Sequence, residues 1–520
     1  MNQEWKTPSA ASSRSSSQRS NSSSTGDTRR TSASTSYSGK ISQNSAGSAS
    51  ELLQPEDVHA ALKNMLFPRN CDSLCVLGQD SRTLMAEYPG MMKLKVVYSL
   101  MVEQQVKQFK ASMVLKQQPR SVEGQRLFAR ELAFYRHVDP QLRHVMVQTM
   151  QSPVPRSYLT RGHCELPKHR NPSMPFHKGA PEPGCDVNAP SVLILQDLSV
   201  DGFRPAHQQP EMDYRHCSAA LRALAVLHGS SAVVDRSDPK LKRGSYLKTA
   251  FPFLVPDRCM TASQESLYER GMRVIGALGP HMEPQHLLPG RDVSKVVRFL
   301  QRHLHRLIED ILTPHPEQLN TLCHTNCMSA SNLQFIQDQR HRPVQCKLIG
   351  LGQVRYCRPA VDIALILYCA GDREVRASKV NLLVEVYREE FNNTLEKCQR
   401  KHHSALPTSV GLLSASHLAE ALMETKLLGV AMRAMIVATE FGVAKKGLSD
   451  EEAAVREFSK NKQYRSRATE AVRDLMEAIE PYIGDCWLTS EHKQCPHHTH
   501  NNKFKPNPVL LAKTKHTTDN

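Results

Sequence analysis

Between Leu322 and Asp362 the chain sets a polar loop, an apolar strand and a buried helix in close succession, and no other stretch restricts its possible folds as much. The loop opens at His324 and closes at Asn332 (HTNCMSASN). Cys346-Lys347-Leu348-Ile349 then reads as a short apolar strand running into Gly350-Leu351-Gly352. The apolar segment PAVDIALILY that follows carries a single acid, Asp362, and reads as a buried helix.

Five upstream pieces accompany this stretch. Lys93–Leu100 and Lys107–Gln117 are expected as strands. In the second, Ala111, Met113 and Leu115 face one way, and Ser112, Val114 and Lys116 the other. Phe128, Glu131 and Tyr135 recur at steps of three and four, on one face of a helix. Leu193-Ile194-Leu195-Gln196-Asp197-Leu198 reads as a buried strand, with Gly202-Phe203-Arg204 after it. Asp213 is placed to cap a helix carrying Cys217, Leu221, Leu224 and Leu227, with Leu224-Ala225-x-x-His228 near its end.

In this order, over roughly residues 60 to 445, the pieces resemble the ecdysteroid kinase-like family, relatives of choline kinases and aminoglycoside phosphotransferases. The resemblance implies an α+β, bilobal protein-kinase-like fold. A small β-rich N-lobe would span 51–195, with an irregular insertion at 151–190, and a large helical C-lobe would span 196–485. It further implies that Lys116 and Glu131 form the ion pair that positions nucleotide phosphates. The backbone of Gln196, Asp197 and Leu198 would face an adenine edge, and Asp362 would pin the loop backbone. His228 matches a family histidine and reads best as a satisfied core residue. Cys75–Gly78 is a candidate start for the phosphate-covering hairpin, although Gly78-Gln79-Asp80-Ser81 lacks the several glycines that let backbone approach phosphate.

Family members typically read His-Gly-Asp-Leu-Trp-x-Asn-Asn in the loop and Leu-Ile-Asp-Phe-Gln after it. Here His324 and Asn332 remain, but Asn326 stands at the position of the first acid and Gly350 at that of the second. An aspartate at the first position orients the attacking hydroxyl, and an amide is negligibly basic. A carboxylate at the second bridges Mg²⁺ to the phosphates, and glycine offers no ligand. No catalytic set is intact, and the resemblance implies a pseudokinase acting by binding a protein or a small molecule. Its cofactor would at most be ATP, bound without dependence on Mg²⁺. An active ATP-dependent kinase of a steroid or another hydroxylated metabolite is the second reading.

Composition bounds the rest. Residues 1–50 hold 18 serines and almost no large apolar side chains, so they cannot form a core and are expected to be disordered. Arg29-Arg30-Thr31-Ser32 within them makes Ser32 the candidate phosphosite. The segment 486–520 reads as a polar, basic tail. The 14 cysteines have no framework spacing and suit reduced thiols in a cytoplasmic or nuclear protein. No uninterrupted apolar run is long enough for a membrane span, and MNQEWKTPSA has no secretory character. His163, Cys164, His169, His177 and Cys185 match no zinc spacing, so no metal site follows from them. The net charge is +16, of which residues 1–50 supply +4 (six basic, two acidic) and 491–520 supply +3 (five basic, two acidic). No groove-reading motif or basic helix stands out, so the charge reads as solvated side chains. A nucleic-acid-associated protein using its basic tails is the third reading.

Overall fold

Pro55 at the first helical position, with Glu56 and Asp57 after it, starts α1 (Pro55–Leu66), which buries Val58, Ala61 and Leu62. The computed structural model describes residues 53–483 except 67–72, 85–89, 103, 163–190, 207–210, 238–244, 257, 259, 289–291, 316, 329, 402–410 and 441–447. Ser32, both expected tails and the five histidines and cysteines weighed for zinc lie outside these residues.

The N-lobe sheet is antiparallel, in the order β1-β2-β3-β5-β4. Its strands are β1 (Cys75–Thr83), β2 (Met91–Val102), β3 (Gln105–Gln117), β4 (Ser157–Arg161) and β5 (Val192–Gln196). One face, with Leu94, Val96, Met113, Leu115 and Ile194, packs with α1. Full burial of a Val or Leu is worth about 1.5–3 kcal/mol, so α1 closes this small core rather than decorating it. On the opposite face Val114, Leu193 and Leu195 join the C-lobe core. Period two therefore aims Ser112, Val114 and Lys116 at the space between the lobes. Glu131 approaches that space from α2 (Val122–Ala133), capped by Ser121 and continued by a wide π turn, Phe134–Val138, into α3 (Asp139–Val145).

The C-lobe begins with β6 (Arg204–Pro205) and α4 (Tyr214–Asp235), whose cap Asp213 accepts from His216 N. By length and composition α4 could cross a membrane, the one such helix among the described residues, yet it lies buried in the lobe. Next come α5 (Tyr246–Ala250), α6 (Ala262–Leu278) and α7 (Val293–Leu312). Two short ladders follow. One pairs β7 (Thr321–Cys323) with β10 (Arg355–Cys357). The other pairs β8 (Leu333–Gln337) with β9 (Pro343–Leu348). They bring the loops 324–332 and 349–354 side by side. The chain closes with α8 (Ala360–Ala364), α9 (Val380–Lys401), α10 (Ala415–Thr439), α11 (Asp450–Lys460) and α12 (Lys462–Ile483). The capping box Ser449-x-x-Glu452 opens α11 as its sequence implies.

Two expectations need correction. Gly78–Ser81 makes no phosphate-covering turn: it lies within β1, which pairs with β2, and Met91 at the start of β2 pairs with Lys116. The segment 151–190 is not irregular from its start, because Ser157–Arg161 forms the edge strand β4.

Candidate functional site

Asp362 organises the central loop. It is fully buried, and its carboxylate accepts from His324 N at 2.6 Å, Thr325 N at 2.8 Å and His228 Nε2 at 3.1 Å. Burial alone would raise its pKa. The bond from His228, the histidine charges and the His324 N–H overcome that and hold it below the usual carboxylate range. His228 passes its other nitrogen to the Tyr387 hydroxyl at 2.9 Å, the satisfied core histidine expected. Cys323 Sγ lies with these ligand atoms inside 4.8 Å, yet it donates to the carbonyls of Cys357 and Arg358. The cluster is a hydrogen-bond network whose groups are already engaged, and it does not make a metal site.

The network fixes an unfavourable backbone. Thr325 has φ 55°, a left-handed conformation costly for a β-branched residue. Its N–H on Asp362 and its hydroxyl, which donates to Gln353 O at 2.6 Å, hold it there. His324 Nε2 contacts Ile349 O at 2.9 Å, which ties this loop to the next.

Positions 326, 332 and 350 meet. Asn332 Nδ2 donates to Asn326 O at 2.9 Å, and Asn332 O accepts from Ile349 N at 2.9 Å. A Cβ at Gly350 would lie 2.9 Å from Asn332 Oδ1. Gly350 is left-handed, at φ 74°, where glycine is unstrained. Neither Asp362 nor Asp338 reaches it. Asp362 is committed as described. Asp338 sits at the far turn of the β8–β9 hairpin, five residues beyond the Leu333–Leu348 pair, or about 17 Å along the strand. Its hydrogen bonds with Arg342 hold it at a pKa of about 2.

Lys116 Nζ meets Glu131 Oε1 at 2.7 Å, the pair that the family resemblance implied. The same oxygen accepts from Leu351 N at 3.3 Å, so Glu131 also holds the backbone directly after Gly350. A second lysine on the cleft face was not foreseen. Lys93, opposite Val114 in the sheet, bonds Asp197 Oδ2 at 2.7 Å and Ser199 Oγ at 2.8 Å. Ser112 donates to Asp197 at 2.6 Å. Burial would raise the Asp197 pKa, but these bonds outweigh it and lower it. Asp197 and Leu198 stand at the lobe junction as expected, but their carbonyls are occupied. Asp197 O accepts from Val200 N, and Leu198 O from both Asp201 N and Phe203 N. Gln196 is drawn aside as well, donating to Asp201 at 2.6 Å.

A narrow cavity lies under Thr325 and Met328, on either side of Asn326, between α6, α7 and α10. Its polar lining includes Arg130, Gln264, Gln353 and Arg355, none of which the sequence singled out.

The chain has relatives among known proteins. The model of the ecdysteroid kinase-like family matches residues 88–400, more than half of the chain. The chain belongs to the ecdysteroid kinase-like family. The match spans both lobes and every site residue described above. No curated protein sequence matches the chain. Solved structures similar to this family member include choline kinase from Cryptosporidium parvum Iowa II (11% identity, 82% of this chain and 96% of that one, TM-score 0.33). The GDP complex of aminoglycoside 2′-phosphotransferase-IIIa is similar at 10% identity, over 81% and 98% of the two chains, with TM-score 0.28. A choline/ethanolamine kinase family protein from Mesorhizobium loti follows at 12% identity, over 80% and 98%, with TM-score 0.27.

Proposed function

We propose that this ecdysteroid kinase-like protein binds ligands without transferring phosphate. The observation that carries the reading is the left-handed glycine at position 350, with Asn332 against it. Mg²⁺ needs at least one hard anionic oxygen here, and the neutral amide of Asn332 does not supply that charge. The donor set therefore does not fit the metal. At position 326 an amide replaces the base, which removes the second requirement of the chemistry.

Nucleotide contacts are only partly kept. Lys116 can meet phosphates, as the 2.7 Å pair with Glu131 supports. The Lys93–Asp197 bridge crosses the roof of the cleft beside the lobe junction, and the Asp197 and Leu198 carbonyls are in use. ATP binding is accordingly weak and little affected by Mg²⁺. The same Lys116–Glu131 pair is what favours the second reading, an active small-molecule kinase with an unorthodox metal site. Assay of the purified protein for ATP turnover with Mg²⁺ and with Mn²⁺ decides between them. Turnover that disappears in Lys116→Ala would establish the kinase.

A further inference from the structure

We infer that β1 is a homodimer interface: its outer edge pairs antiparallel with β1 of a second copy, about a two-fold axis at Ser81. The inference goes beyond the ligand-binding reading and does not depend on it. Three observations carry it.

The first is a free edge. β1 stands at the end of the order β1-β2-β3-β5-β4, and among the described residues it pairs with β2 alone. A strand in that position presents a row of unpaired N–H and C=O groups, which a further strand can satisfy. A bulge between Val76 and Gly78 interrupts the ladder near one end. From Gly78, opposite Val97, to Thr83, opposite Met92, the register runs without a shift. The bond from Leu84 N to Met91 O carries it one residue further. The regular edge is therefore 78–84, and Ser81 is its midpoint.

The second is the direction of the backbone groups. Leu84 bonds inward to β2, and inward and outward residues alternate in an antiparallel ladder. Gln79, Ser81 and Thr83 therefore turn their N–H and C=O groups to the free side. A two-fold axis at Ser81 sets Ser81 against itself and Gln79 against Thr83 of the second copy, which allows about six hydrogen bonds.

The third is charge, which selects this register. Asp80 and Arg82 are exposed, flank Ser81 and make no ion pair among the described residues. With the axis at Ser81, Asp80 of each copy faces Arg82 of the other, in the closer, non-hydrogen-bonded kind of pair. An axis one residue to either side would set Asp80 against Asp80 or Arg82 against Arg82, and like charges directly opposite repel. Further out, the exposed Leu84 comes opposite Gly78, where even an added Cβ would meet nothing within 4 Å, so the leucine has room. Charges that keep unrelated strands from this edge are thus complementary to the chain's own copy.

Sedimentation equilibrium of the full chain is expected to show a reversible dimer. Asp80→Arg sets arginine against arginine on both sides of the axis, and Arg82→Asp sets aspartate against aspartate. Each should weaken the dimer at least about tenfold. The double variant, Asp80→Arg with Arg82→Asp, restores unlike pairs and should regain the wild-type affinity. Ser81→Cys gives a test that does not rest on charge. At the axis the two Cα atoms would stand about 5.5 Å apart, within disulfide range. Mild oxidation with diamide should therefore yield a covalent dimer beyond the wild-type control, reversed by dithiothreitol. A wild type that stays monomeric at tens of micromolar overturns the inference. So does a dimer indifferent to the single charge reversals or not rescued by the double one, and so does a Ser81→Cys protein that fails to cross-link. Phosphate transfer by the wild type would overturn the proposed function instead, and would leave the dimer standing.

Discussion

Replacing Gly350 with aspartate returns a carboxylate to the place where the metal ligand is missing, and the structure sets both the cost and the gain. Gly350 sits at φ 74°, where an L-residue is disfavoured by about 1–2 kcal/mol, aspartate lying toward the lower end. The new Cβ would stand 2.9 Å from Asn332 Oδ1, inside normal contact. That oxygen is the end of a side chain, so rotation of the Asn332 amide clears the clash at the expense of its bond to Asn326 O. The variant should therefore lose about 1 kcal/mol of stability and a few degrees of melting temperature. In return, Mg²⁺ gains an anionic protein ligand beside Asn332. Calorimetric titration with ATP, with Mg²⁺ or with a chelator, should give a wild type whose affinity hardly changes. Gly350→Asp should bind at least about tenfold more tightly with the metal, a difference of about 1.4 kcal/mol. Turnover should require Asn326→Asp as well. Tight Mg²⁺-dependent binding by the wild type would refute the reasoning, and so would a Gly350→Asp protein that folds but stays indifferent to the metal.

Other substitutions probe the groups around the site. Lys116→Ala should abolish whatever ATP binding the wild type shows, read by the loss of any ATP-induced rise in melting temperature. Lys93→Met removes the bridge to Asp197 and should increase ATP affinity in the presence of chelator; an unchanged or weaker affinity would show that the bridge does not compete with nucleotide. Asp362→Asn should cost about 3–5 kcal/mol in urea unfolding, because three buried donors lose a charged acceptor. Since the folded pKa of Asp362 is lowered, its contribution is present above the unfolded value of 3.8, and the gap to the variant should close as pH falls below it. Burial pushes the Lys347 pKa down to about 8. Between that value and 10.5 the unfolded chain holds a proton that the folded one sheds, so stability should rise with pH across the window, by up to about 3 kcal/mol, and Lys347→Met should lack that rise.

What the sequence made legible was local or repeated at a fixed period. The alternation in β3 put Lys116 on the same side as Ser112 and Val114, the helical spacing put Glu131 on one face with Phe128 and Tyr135, and the family resemblance implied that the two meet. The lone acid of the apolar segment 359–368 could only be a partnered group, and Asp362 has three partners. Contacts made by folding left no such trace. Lys93 and Ser199 lie 106 residues apart, Ser112 and Asp197 lie 85 apart, and neither pair has a spacing that marks it. β4 was hidden because its five residues sit next to a Pro- and His-rich run that masks a short edge strand. The cavity was equally hidden, since its arginines come from separate elements and become neighbours only when both lobes are assembled.

Stability accounts for much of what this site kept and lost. Asp362 satisfies two buried backbone N–H groups and a buried histidine, so changing it carries a folding penalty whether or not phosphate is transferred. Position 350 is the opposite case. A left-handed residue only partly buried is relaxed by glycine, so Gly350 favours the fold where an acid would strain it. Glu131 falls with Asp362, because Leu351 N depends on it. Removing Lys116 would strand that buried carboxylate, so even the Lys116–Glu131 pair is held in place by the fold. The pair's presence therefore weighs little in favour of nucleotide binding.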